Sequence, residues 1–485
     1  MEVLRVEGDR IVDGKGNPVQ LRGVGIGGWM NMENFIIGYP GVESSLRRTM
    51  AEQLDPEIGT FFFDRLLDYF FAPEDASFLR ECGINVVRIP LNYRHFESDD
   101  RPFERLEAGF DRLERVVEWC EQNKLYVILD LHAVQGCQNT DWHCDNPTRH
   151  GFFWDHPHFQ DRFVALWEEL ATRFAENHAI AGYNVMNEPV TTASRSQFGR
   201  PASPRWDLLN GIYRRVVDAI RAVDSDHIIF LEGDLFSNLF EGLDPPFAEN
   251  LVYSSHNYIP PTFGPGSYPG DYQGRMWNRD TIRDYLLNHQ GMQFARRHGV
   301  PLWVGEFGCV FNGPQEEIPD RLKALEDEID VFEELGVHWT LWTYKDVGIM
   351  GLVQLDPESL YMQVISPILE AKRLTGVDFW TSWLPAPKTR DGIRYIARYA
   401  EQAIGDPEIN PEMNEHFLSQ AALSGYVGAL MQPAFAKRFL GVCMDEMDRI
   451  LESFSFSRCR INRDLADLLK KYALLPEENR EGNEG

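Results

Sequence analysis

The chain has 485 residues and a mass of 55.9 kDa, with 43% apolar and 12% aromatic residues, ample for a sizeable core and against disorder. Asp and Glu number 75 against 47 Lys and Arg, a formal net charge of −28. This excludes the basic footprint that a nucleic-acid partner requires and argues against an anionic membrane surface.

The N-terminus, MEVLRVEGDRIVDGKGNPV, has no basic segment followed by an apolar one, so no signal peptide is read. A hairpin signal follows at Asp13-Gly14 and Lys15-Gly16-Asn17-Pro18. Then eight short runs rich in Val, Ile and aromatics alternate with longer helical patterns. The runs are Arg22–Gly28, Ile84–Pro90, Tyr126–His132, Gly182–Pro189, His227–Gly233, Leu251–Tyr258, Pro301–Gly308 and Trp339–Asp346. Nearly continuous apolar runs of this length suit parallel strands buried on both faces. Amphipathic patterns lie between them at Phe103–Lys124, His158–His178, Trp206–Val223, Arg279–His298 and Arg321–Leu335. Gly83, Gly299 and Gly336 stand where helices should stop. Eight β/α units predict an α/β fold of the (β/α)8 TIM-barrel type with right-handed crossovers. A doubly wound open sheet is the structural alternative.

Three connections after strands are long: Trp29 to about Ala72, Ala133 to Pro157, and Ile259 to Trp277. All leave the C-terminal ends of strands, the face on which barrel active sites sit, and their aromatic content marks them as ordered. Met350–Trp383 carries one more helical pattern, and the chain from Lys388 reads as several helices. The expected division is a catalytic barrel with its N-terminal hairpin over 1–383 and a helical extension or small helical domain over 384–485. These helices either pack on the barrel or pair two copies of the chain. The tail from Pro476 is polar and expected to fray. No run of about 18 apolar residues exists to span a membrane. The seven cysteines are odd in number and scattered, as expected for reduced thiols in a cytoplasmic protein.

Polar residues at the ends of buried strands are the anomaly. The fourth run ends Asn187-Glu188-Pro189 and the seventh Glu306-Phe307-Gly308. Two carboxylates at the C-terminal ends of strands across one barrel can converge on a cleft, an arrangement suited to glycoside hydrolysis. Around them, Arg88, His132, His256, Tyr258 and Trp342 end other runs. A buried Arg keeps a nucleophilic carboxylate ionised, and a Trp face offers a platform for a pyranose ring. Taken singly, each has a plainer reading as salt bridge or packing; together they point to a sugar site.

GYNVMNEP and WVGEFG, with VRIP, LDLH, HNY and the Trp342 strand, resemble glycoside hydrolase family 5, the cellulase-like family of retaining (β/α)8 enzymes in clan A. The resemblance covers about residues 11–350. It implies Glu188 as general acid/base and Glu306 as nucleophile, with Asn187 on the sugar 2-hydroxyl. It implies that Arg88 and Tyr258 orient Glu306, that His132 and His256 line the −1 site, and that Trp342 forms its floor. GIGGWMNMENF is similar to a segment of the exo-β-1,3-glucanase branch, which implies that Trp29 and Glu33 touch the terminal sugar. Tyr344-Lys345-Asp346 and the helical C-terminus depart from the pattern and leave the subfamily open.

The mechanism implied is double displacement with retention. Glu188 should then be protonated at rest, its pKa raised in part by Glu306. The expected activity is that of a β-glucosidase or exo-glucanase on a carbohydrate substrate, with no cofactor or metal. Three long loops should wall a groove into a pocket. An endo-β-glucanase or mannanase is the alternative, and a non-catalytic sugar-binding barrel a further one. Cys137, His143, Cys144, His150, His156 and His158 crowd one loop, but their spacing fits no standard zinc framework, and they read as residues lining the cleft.

Overall fold

The computed structural model describes residues 1–193, 203–264, 266–272, 274–378 and 387–473. The expected tail from Pro476 and the expected boundary at 383/384 fall outside them. Eight parallel strands close into a barrel in chain order. They are β1 (Arg22–Gly25), β2 (Val86–Asn92), β3 (Tyr126–Ala133), β4 (Ile180–Asn184), β5 (Ile228–Glu232), β6 (Leu251–His256), β7 (Leu302–Phe307) and β8 (His338–Leu341). β8 pairs with β1 and β5 with β6, which completes the closure. The expected TIM-barrel architecture is the observed one.

Period-two alternation sorts each strand. Val87, Ile89, Val127, Leu129, Leu131, Ile229, Leu231 and Tyr253 belong to the large core shared with the outer helices. Their neighbours Val86, Ile128, Ile228, Phe230 and Val252 form a second cluster with Trp303. Two residues further along the same inner face come Arg88, Asp130, Glu232 and Ser254, all fully buried. The barrel interior is therefore apolar at its N-terminal end and charged at its C-terminal end. Phe230 meets Trp303 edge-on at 4.8 Å between ring centres, so Phe230→Ala should remove about 3–5 kcal/mol.

The N-terminal strands Arg5–Glu7 and Arg10–Val12 form an antiparallel pair, and Leu4, Ile11 and Leu21 complete the apolar inner cluster. The hairpin thus plugs the bottom of the barrel. Its turn is at Gly8, with φ 63°. The expected turn over 13–18 is a second one, in which the Asp13 carboxylate accepts from the N–H groups of Lys15 and Asn17 at 2.9 Å.

The connection from Trp29 to Ala72 is largely helical, with helices at Glu43–Gln53 and Pro56–Phe70. Asp55 caps the second by accepting from the Glu57 N–H, with Pro56 in the first turn. Phe62, Phe63, Leu66, Leu67 and Phe70 are its buried face. The 133–157 connection keeps only short 3-10 turns, and 259–277 carries a hairpin of Gly270–Tyr272 with Arg275–Trp277.

After β8 the chain stays against the barrel. Val353–Leu355 pairs with Lys345–Asp346 and with Cys459–Ile461. The buried Lys345 ammonium donates to Asp75 at 2.7 Å and to the carbonyl oxygens of Phe70 and Phe454. Helices Pro387–Ile404, Pro411–Ser419, Gly428–Ala436, Met444–Leu451 and Arg463–Ala473 follow, with a π-helical stretch at Gln420–Val427. The Gln432 amide donates to the carbonyls of Pro40 and Val42 and to Ser45 Oγ. Among the described residues no helix is long and apolar enough to cross a membrane.

Candidate active site

Arg88 is the hub of the charged end of the barrel and is fully buried. Its Nη1 donates to Glu306 Oε1. Its Nη2 donates to Asn187 Oδ1 at 2.6 Å and Asn184 Oδ1 at 3.1 Å, and lies 3.0 Å from Asp130 and 3.4 Å from Glu232. Burial alone would pull the guanidinium pKa down; the carboxylates of Asp130, Glu306 and Glu232 outweigh it and raise it. One permanent cation so holds together the ends of β2, β3, β4, β5 and β7.

Glu306 also accepts from the Tyr258 hydroxyl at 2.9 Å, on Oε2. It reaches the interior because β7 shifts register between Val304 and Phe307, a bulge of the kind found beside active sites. Gly305 sits at this shift, where a Cβ would meet Ser254 Oγ at 2.8 Å.

Glu188 lies beyond the end of β4, in the left-handed region with φ 44°, an uncommon conformation for a non-glycine residue and one that concentrates at functional sites. Hydrogen bonds at its N–H and at both carboxylate oxygens fix it there. Its N–H donates to Glu232 Oε2 at 2.7 Å. His256 Nδ1 lies 2.6 Å from its Oε1, and His143 Nε2 lies 3.0 Å from its Oε2. An oxygen of Glu188 and an oxygen of Glu306 lie within 4.8 Å of each other.

The expected rise in the Glu188 pKa is reversed. Burial pushes its carboxyl up, but hydrogen bonds from His143 and His256 outweigh that and hold it well below the usual carboxylate range. Burial would lower both imidazoles, yet Glu188 raises His143, and Glu306 and Glu232 raise His256 well above its ordinary value. His132, opposed by burial but bonded to Asp130 at 2.7 Å, is pushed up to about 10.

Glu33, His132, Glu188, Tyr258, Glu306 and Trp342 line one cavity of about 360 Å³. His132 stacks on Trp342 with ring centres 5.5 Å apart and planes 7° apart. The Trp342 indole lies over the GIGG turn after β1: a Cβ on Gly25 or Gly27 would come within 2.6 Å of it. Glu33 Oε1 is 3.5 Å from His132 Nε2, and burial raises the Glu33 pKa. Arg88, Asn187 and His256 stand behind this lining. Trp29 is not in it: its indole N–H donates to the Leu67 carbonyl at 2.9 Å, and the ring is 1% exposed.

The same cavity is lined by Asp141, Trp142, His143, Phe236, His416 and Gln420; of these only His143 was expected to line the cleft, and its contact with Glu188 was not. Glu232 and Asp130 were missed as well, although they obey the rule that picked out Glu306: an acid at the C-terminal end of an apolar run. The Cys- and His-rich loop divides its tasks. His143 turns to Glu188, the Cys144 thiol points at the carbonyls of Asn139 and Asp141, and His150 lies 3.6 Å from Asp155.

The sequence model of the cellulase family, glycosyl hydrolase family 5, matches residues 69–348. A protein of Phanerodontia chrysosporium named beta-xylosidase is 36% identical over 483 residues, which cover 96% of each chain. Endoglucanase C of Acetivibrio thermocellus is 26% identical over 314 residues, 57% of this chain and 85% of the relative. A crystal structure of a glycoside hydrolase is 22% identical and covers 69% of this chain and 91% of its own, with a TM-score of 0.49.

Proposed function

The chain belongs to glycosyl hydrolase family 5, a family of retaining β-glycoside hydrolases, and we propose that it removes sugar units from the ends of short β-glycosides with Glu306 as nucleophile and Glu188 as acid/base. The observation that carries the pairing is the approach of the two carboxylates to within 4.8 Å. Retaining enzymes hold their carboxyl groups about 5–5.5 Å apart, whereas inverting ones leave roughly 6.5–9.5 Å for a water.

Glu306, kept anionic by Arg88 and steadied by Tyr258, attacks the anomeric carbon. Glu188 protonates the departing oxygen, then takes a proton from the water that releases the sugar. Because Glu188 is held low and His143 is raised, the proton for the first step rests on the imidazole side of their hydrogen bond. Asn139 Nδ2 lies 2.9 Å from the same His143 nitrogen and donates to the Glu188 carbonyl. Once Glu188 takes the proton, His143 Nε2 can accept from Asn139 instead. The proton is therefore mobile across one hydrogen bond, as an acid/base residue requires.

Trp342 and His132 form the floor and side of the −1 site and Glu33 binds the terminal sugar, while Asn187 stands behind them, its Oδ1 accepting from Arg88 and its Nδ2 3.2 Å from His132 Nε2. Trp29 supports the loop that carries Glu33. The relative whose match takes in nearly the whole chain is named a beta-xylosidase, which makes β-xylosides the first substrates to try, with β-glucosides beside them. Seven free thiols support a reducing compartment as the place of work. The experiment is a panel of nitrophenyl β-glycosides and the matching soluble polymers, with the product anomer followed by NMR. The β-anomer as first product, and faster turnover of small glycosides, supports the reading; an α-anomer overturns it.

A further inference from the structure

We infer that the C-terminal helical segment is a working part of the sugar pocket: His416 binds the substrate at its mouth, and Gln420 holds the wall that restricts the site to chain ends and short glycosides. This rests on the glycosidase reading above. His416 and Gln420 line the same cavity as Glu188 and Glu306, although they lie some way beyond the last barrel strand in sequence. They are four residues apart, which puts them on one face of the helix, at the junction of helix Pro411–Ser419 with the π-helical stretch Gln420–Val427. Such π segments recur at functional sites.

The two residues differ in what their side chains do. Gln420 is 2% exposed and committed at both ends of its amide. Its Nε2 donates to Asp141 Oδ2 at 2.8 Å, and its Oε1 accepts from Arg149 at 3.4 Å. Asp141 is two residues from His143, which touches Glu188. Gln420 is thus a positioning residue, acting on the acid/base carboxylate through the β3 loop. His416 is exposed at the mouth, a ring nitrogen within reach of a sugar hydroxyl beyond the cleaved unit.

The wall is anchored. Gln432 bonds to the carbonyls of Pro40 and Val42 in the connection after β1, and Ser424 Oγ donates to the Val377 carbonyl at 2.8 Å. The same segment therefore touches the connections after β1 and β3 and shuts one side of the site between them. A polymer bound along its middle needs both sides open; a chain end does not.

The test compares His416→Ala and Gln420→Ala with wild type on nitrophenyl β-xyloside and β-glucoside, on xylobiose and cellobiose, and on soluble xylan and carboxymethyl cellulose. Loss of one hydrogen bond to a sugar is worth about tenfold in binding. His416→Ala should raise KM for xylobiose and cellobiose about tenfold, with the effect on KM rather than kcat and little change on the aryl glycosides, which carry no second sugar, and shift the ratio of activities toward polymer. Its side chain is exposed, so folding is not at stake. Gln420→Ala should move the basic limb of the pH profile to lower pH, a shift that loosened packing alone does not cause. An active wild type whose two folded variants keep its KM, activity ratio and pH profile overturns the inference alone. A wild type inactive on every β-glycoside overturns the glycosidase reading and the inference with it.

Discussion

The His143 imidazole meets the Glu188 carboxylate at 3.0 Å, on the oxygen that His256 leaves free. The acid/base residue proposed for this site is therefore one half of a pair, and its titration belongs to both partners.

This relationship fixes a pH dependence. The proton needed for the first step is lost when the pair loses it, and Glu188 raises that imidazole above its ordinary value. In His143→Phe the proton belongs to Glu188 alone, with His256 still pulling its pKa down against burial. The basic limb of the kcat/KM profile should move to lower pH, while activity at acidic pH is retained in larger part. A profile whose basic limb stays in place would show that His143 does not share the proton.

The barrel and the two carboxylates were legible because they follow simple rules. Glu188 and Glu306 are acids that end buried apolar runs, and eight such runs imply closure. The same rule covered Asp130 and Glu232, but inside runs such as YVILDLH the inner and outer faces look alike until the strands are registered against one another. His143 could not be assigned because its loop has no periodicity; only the fold brings it onto Glu188. The helix Pro56–Phe70 was legible in principle from its Asp-Pro start and its apolar spacing, and was hidden by reading the segment as a connection. His416 and Gln420 lie far from the barrel in sequence, and no local pattern marks a residue that works across that distance.

Arg88 holds three buried carboxylates, so its loss leaves uncompensated charge. Arg88→Ala should abolish measurable turnover and lower stability by about 3–5 kcal/mol. Urea unfolding alongside kinetics checks both. A fully stable, inactive variant would mean that the arginine serves only the chemistry.

Tyr258→Phe removes the hydroxyl that donates to Glu306 Oε2 at 2.9 Å and leaves the ring. One lost hydrogen bond to a charged acceptor should cost about 1.5–3 kcal/mol, read as a fall in kcat/KM of roughly tenfold to a hundredfold. Thermal unfolding should change little. Unaltered kinetics would remove Tyr258 from the nucleophile's support.

Glu328 is buried on the helix Ile318–Leu335 that follows β7, accepts from Asn257 Nδ2 at 2.6 Å, and burial raises its pKa well above the usual value, with Asn257 opposing. A carboxyl whose folded pKa is raised stabilises the fold below its unfolded pKa, about 4.3, and that contribution is lost as pH rises through the folded value. Glu328→Gln keeps the acceptor and cannot ionise. Its melting temperature should exceed that of wild type at neutral pH, and the gap should widen from acidic to alkaline buffer. A gap that is constant with pH would contradict this.

The most direct test of the account is to trap the covalent intermediate. A β-glycoside inactivator fluorinated beside the anomeric carbon slows release of the sugar from a retaining enzyme's nucleophile. Stoichiometric inactivation and a single added sugar on the peptide that carries Glu306 are expected. Label on the peptide carrying Glu188, or turnover with no label and an inverted product, would contradict it.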